Sequence, residues 1–176
     1  MHKAFFCSEF RCKLNHCLLA VALFLFSTSL SAQIQEQLLA LDKSKTKDFV
    51  QFSQELEQLA DRKSVMNKQE LDYFRFLLIY QEIYLQGFAG VINKIEAMLA
   101  EDISETLKFR LSALAVNAYL ITKDFKTAFS YTYKILQSID DIDDAFTRRQ
   151  VLAPLANLFI DIKQKAPATF YIAQLR

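Results

Sequence analysis

The sequence predicts an all-α chain built of antiparallel helix pairs. Three observations carry this. Apolar residues recur at three- and four-residue spacing from residue 34 onward, no run alternates apolar and polar residues as a half-buried strand does, and only two Gly and two Pro interrupt 176 residues. With 52% hydrophobic and 23% charged residues, the chain has enough apolar material for a buried core and lies outside the disordered range.

Residues 1–32 read as an export signal. Lys3, Arg11 and Lys13 form a basic start, Cys17 to Phe26 (CLLAVALFLF) an apolar run of ten, and Ser27 to Ala32 a small-residue end, so cleavage is expected after Ala32 or Ser31. The alternative is a signal anchor, against which the run is short of the roughly 20 apolar residues that a span needs. The chain then divides into the leader, 1–32, and one helical domain, 33–176.

The domain's elements follow in order. Ile34 to Leu41 and Lys45 to Arg62 are amphipathic, with Phe49, Val50, Phe52, Leu56 and Leu59 at helical spacing. Asn67 with Glu70 three residues on is a capping-box pattern for a helix over Leu71 to Gln86. That helix is apolar on nearly every side, which requires cover on more than one face. Gly87 to Gly90 predicts a turn and Val91 to Ala100 the return helix. Asp102 with Glu105 predicts the cap of Ser104 to Thr122, Lys123-Asp124 a turn, and Phe125 to Ile139 the next helix. Asp140 to Asp144 reads as a loop whose last Asp caps Ala145 to Ile162, with Pro154 kinking that helix. A last helix is expected to begin at Pro167, a residue suited to a first helical position.

The pairs recur with a period. Tyr80 to Ala89, Tyr119 to Ala128 and Phe159 to Ala168 are each nine residues apart, and the aromatics are 39 and 40 residues apart. At that offset Leu111 also matches Val151, Ala113 matches Ala153, Asn117 matches Asn157 and Tyr131 matches Tyr171. Each unit therefore predicts an aromatic closing one helix, a short turn, and a small alanine where the second helix approaches. Tyr80, Tyr119 and Phe159 are expected in the core rather than in a site. The simpler alternative is an irregular helical bundle.

The leader removes much of the catalytic repertoire. All three Cys (7, 12, 17) and both His (2, 16) lie within it, so the chain from Gln33 holds neither. Disulfides, Cys/His zinc sites, Cys–His pairs, Ser–His–Asp triads and histidine acid/base relays are excluded there. Three basic residues and one acidic residue leave with it, so 18 basic and 19 acidic side chains remain. That balance offers no electrostatic case for nucleic acid. The two glycines, Gly87 and Gly90, cannot make a phosphate-binding loop. As a calcium loop counted from Asp141, the acidic run fails, with Phe146 where Gly belongs and Leu152 where Glu belongs. Arg148 and Arg149 are expected to pair internally with it. No catalytic, cofactor-binding or metal-binding residue is therefore assigned, and no ligand-binding residue is singled out.

The aromatic-to-alanine spacing resembles the tetratricopeptide pattern, with Leu77, Val116 and Ala156 standing where its glycine belongs. Taken with the leader and the units running Leu107-Lys-Phe-Arg-Leu…Tyr119…Lys123-Asp-Phe, the chain is similar to the periplasmic tetratricopeptide-like sensory regions of membrane-bound GGDEF diguanylate cyclases. The resemblance implies a short solenoid of stacked helix pairs. Its concave face would take a peptide, protein or small ligand, with contact to a membrane only through the leader or a downstream segment. No cyclase signature is present, and the third unit stops early in its closing helix, so the chain reads as a non-catalytic N-terminal fragment or a truncated gene product. The other class is a freestanding periplasmic scaffold or adaptor.

Overall fold

The computed structural model describes residues 32–175, which include eight α-helices and no strand. The export signal expected over residues 1–32 lies outside the described residues except for Ala32. The described residues form two compact units, divided between Glu70 and Leu71.

In the first unit, helix α1 covers residues 32–44 and helix α2 covers Phe49–Ala60. Ile34, Leu38 and Leu41 of α1, and Phe52, Leu56 and Leu59 of α2, are the buried positions, each set at three- and four-residue spacing. The helix expected to run from Lys45 starts only at Phe49, because Asp48 caps it by accepting from the Gln51 amide. Lys45 instead closes α1: its Nζ is buried and bonds the Asp42 carboxylate at 2.7 Å. A short 3-10 turn, Lys63–Val65, leads to the capping box. Asn67 Oδ1 accepts from the Glu70 amide, and Glu70 accepts from the Asn67 amide, as the spacing predicted.

Helix α3, Lys68–Gln86, continues from this box. In the second unit it is followed by helix α4, Ile92–Leu99, after a 3-10 turn at Phe88–Val91. Glu82 of α3 pairs with Lys94 of α4, and Arg75 of α3 with Glu101 just past the end of α4, each at 2.6 Å, so the two helices run antiparallel. Helices α5 (Glu105–Ile121), α6 (Phe125–Gln137), α7 (Ala145–Asp161) and α8 (Lys165–Gln174) complete the chain. The α5 cap is Ser104 rather than the expected Asp102, since Ser104 accepts from the Leu107 amide. Asp124 and Asp144 cap α6 and α7 by accepting from the Thr127 and Thr147 amides. Pro167 is the third residue of α8 rather than the first. Amide groups throughout a first turn have no helical acceptor, so a missing one costs nothing there. Helix α7 runs without a break through Pro154.

The hairpins α5–α6 and α7–α8 repeat at an offset of 40 residues in local geometry as well as sequence. In both turns a lysine takes the left-handed conformation, Lys123 at φ 62° and Lys163 at φ 58°. In both, the next amide reaches back to the aromatic's carbonyl: Asp124 to Tyr119 at 2.9 Å and Gln164 to Phe159 at 2.8 Å. These are Schellman closures. Each aromatic then stacks on a tyrosine of the return helix, Tyr119 on Tyr131 at 5.9 Å and Phe159 on Tyr171 at 5.5 Å. Ala128 and Ala168 are buried as the spacing required.

The first unit of the sequence period departs from this. Ala89 is exposed and sits in a 3-10 turn, not in a helix contact. The reason is helix length. Helix α3 runs six residues past Tyr80, whereas α5 and α7 each run two past Tyr119 and Phe159. The turn is made by Gly87 at φ 77°, and Ala89 falls within the connection. Tyr80, Tyr119 and Phe159 are half-buried. Among the described residues, the fully enclosed aromatics are Phe52, Phe74 and Phe76.

Candidate functional site

The hairpin α5–α6 is covered by α7 through one apolar cluster: Val116, Leu120, Ala128 and Ile135 meet Val151, Leu155 and Leu158. That packing uses one side of the hairpin. On another, α4, α5 and α6 bound a groove of about 460 Å³. Its apolar floor includes Leu99, Phe109 and Ile135, and its polar edge includes Glu96, Lys108 and Ser112.

The electrostatics of this groove centre on Glu96. The Tyr119 hydroxyl donates a short hydrogen bond to its carboxylate. That bond, then partial burial, holds the Tyr119 phenol well above the ordinary tyrosine range. Tyr131, stacked on Tyr119, is raised by burial first and by Glu96 next. Both rings therefore remain neutral donors at any physiological pH. Lys108 is tied to Glu105 at 2.6 Å, and Lys134 lies 5.3 Å from the centre of the Tyr131 ring. The groove thus offers the carboxylate of Glu96, the cations of Lys108 and Lys134 and the phenol of Tyr131 beside an apolar floor. Such a surface can hold a ligand carrying both charge signs, or a peptide backbone with an apolar side chain.

A second recess of about 470 Å³ lies where the acidic loop meets the starts of α5 and α7. Its carboxylates are Glu105, Asp141, Asp143 and Asp144. Asp144 is committed to its cap, and its carboxyl is held below the usual range by the Thr147 hydroxyl, then by the Thr147 amide, with Arg110 contributing. Asp140 pairs with Arg148 at 3.4 Å, while the Arg149 Nε donates to the Ala145 carbonyl. Among the described residues, no group of three or more His, Cys, Asp or Glu is placed to hold a metal ion.

One charged residue that spacing alone did not single out is Arg110. It is buried in α5, with its guanidinium 4.3 Å from the Phe76 ring centre, 5.5 Å from Phe146 and 5.7 Å from Tyr73. Its Nη1 donates to the Tyr73 hydroxyl at 3.1 Å. A signal was available: Arg110 stands on the stripe of Leu107, Leu111 and Leu114, all buried, where a cation has no place unless caged. It joins α3, α5 and the start of α7.

Among the described residues, no helix is long and apolar enough to cross a membrane. Searches against protein families, curated proteins and solved structures found no match for the chain.

Proposed function

We propose that this chain is an exported, tetratricopeptide-like binding module, similar to the sensory input region of a membrane-bound GGDEF diguanylate cyclase, and that it recognises a ligand without transforming it. One observation carries the reading: the helix hairpin repeats at 40 residues with the same left-handed turn and the same aromatic stack. Repeating hairpins of this kind build extended recognition surfaces from ordinary residues. The ligand seat is the α4–α6 groove, whose mixed charge and Tyr131 phenol suit a short peptide or a small zwitterion. Recognition there would be passed on by a change in how neighbouring hairpins pack, since the groove is bounded by α4 of one hairpin and α5–α6 of the next.

A thermal-shift screen of free amino acids and dipeptides against the chain tests the seat. A hit should be abolished by Ser112→Trp, which fills the groove from its half-buried wall, while the far-ultraviolet circular dichroism stays unchanged. A hit untouched by this substitution overturns the assignment. Incubation with GTP and magnesium should give no cyclic di-GMP. N-terminal sequencing of a periplasmic extract should begin at Ala32 or Gln33, whereas an intact Met1 in the membrane fraction identifies an anchor.

A further inference from the structure

Because the hairpin occurs twice, the residues its packing needs can be separated from those it does not. Forty residues after Tyr119 and Tyr131 stand Phe159 and Tyr171, whose rings stack at 5.5 Å although Phe159 has no hydroxyl. The stack therefore does not require the Tyr119 hydroxyl. Three residues that line the α4–α6 groove also change at that offset. Lys134 corresponds to Gln174, Phe109 to Arg149, and the half-buried Ser112 to Leu152, which is 1% exposed. A serine at that place leaves room beside α5 that a leucine side chain would take up. The cation, the phenol hydroxyl and the open wall are additions to the hairpin, not demands of its packing.

The charges of the groove divide into a closed pair and an open one. Lys108 and Glu105 satisfy each other at 2.6 Å. Glu96 accepts from the neutral Tyr119 hydroxyl and Lys134 lies over the Tyr131 ring, and neither makes an ion pair among the described residues. A carboxylate and an ammonium that line one groove without bridging each other complement a ligand that carries both charges. Leu99, Phe109 and Ile135 add apolar surface to the same groove. We propose that the α4–α6 groove selects a zwitterion with a free ammonium, a free carboxylate and an apolar side chain. The ammonium binds Glu96, the carboxylate binds Lys134, and the side chain lies on the apolar floor. The inference rests on the ligand reading of this groove and narrows it, since a ligand blocked at either end loses one of its two charge contacts.

The probes are L-leucine, L-phenylalanine and the dipeptide Leu-Phe, each titrated calorimetrically into the full chain, with the N-acetylated and C-amidated form of each. Saturable binding of at least one free zwitterion is expected. Either blocked form should bind at least about tenfold more weakly, because each loses a charge-assisted contact. Lys134→Gln, matching Gln174 of the later hairpin, should weaken the zwitterion and leave the amidated form unchanged. Glu96→Gln, which can still accept from Tyr119, should weaken the zwitterion and leave the N-acetylated form unchanged. A general loosening of the fold would instead weaken every form alike. Both side chains are exposed, so circular dichroism should report an unchanged fold for the two variants. Binding that Ser112→Trp abolishes, yet that is equal for free and blocked forms or insensitive to both charge substitutions, overturns the zwitterion proposal while the seat stands. Binding that Ser112→Trp leaves intact overturns the seat and the proposal with it, as does the absence of saturable binding by all three zwitterions.

Discussion

Replacing Ala128 by leucine separates the two kinds of alanine that share one place in the sequence period. Ala128 has no exposed surface and sits among Val116, Leu120, Ile135 and the α7 side chains Val151 and Leu155. The backbone cannot easily retreat there, because the Thr132 hydroxyl bonds the Ala128 carbonyl at 3.0 Å in the following turn. Leucine adds a branched side chain to a filled site, and overpacking of that kind costs about 1–3 kcal/mol. For a chain of this size each kcal/mol lowers Tm by about 2–4 °C, so a fall of about 2–12 °C is expected. Ala89 occupies the same place relative to Tyr80, yet it is exposed in the 3-10 turn. Ala89→Leu should cost less than about 0.5 kcal/mol. Ala168→Leu should fall between them, since Ala168 is 5% exposed and the outer side of α8 is open. Thermal melts followed at 222 nm, with urea titrations to confirm an unchanged m-value, give the comparison. Equal shifts for Ala128→Leu and Ala89→Leu would refute the packing argument.

Three further outcomes can be checked on the same preparations. Lys123→Gly and Lys163→Gly should each raise stability by about 0.5–1 kcal/mol. A left-handed backbone costs an ordinary residue about 1–2 kcal/mol, and glycine's extra unfolded-state freedom offsets part of the gain; a loss in both would refute the strain. Arg110→Met should cost about 2 kcal/mol by emptying the cage of Phe76, Tyr73 and Phe146, and it should raise the Asp144 carboxyl's titration midpoint by carbon-detected NMR. Asp144→Ala should cost about 1 kcal/mol at neutral pH through loss of the α7 cap. Because the native carboxyl is held low, its charge-dependent share is full above about pH 4, the unfolded value. That share is lost as pH falls through the native midpoint, so Asp144→Asn should flatten the stability profile only in that acid window.

The sequence by itself determined the helices and much of their punctuation. Apolar spacing is a local property, and a capping box needs only residues within one turn of each other. Hence Asn67 with Glu70, and Asp144 ahead of α7, were legible before any packing was known. The 40-residue period was legible too, because Tyr119 and Phe159, Tyr131 and Tyr171, and Ala128 and Ala168 each repeat a role. Tertiary structure decided the rest. Whether Ala89 is a contact depends on how far α3 continues before turning, and neighbours that cover α3 set that length more than its propensity does. Whether Arg110 is a surface charge or a caged cation depends on Phe76 and Phe146, 34 and 36 residues away. The α4–α6 groove arises in the same way: Glu96, Tyr119 and Tyr131 carry no shared motif, and only the antiparallel return of α6 along α5, beside α4, brings one carboxylate and two stacked phenols together.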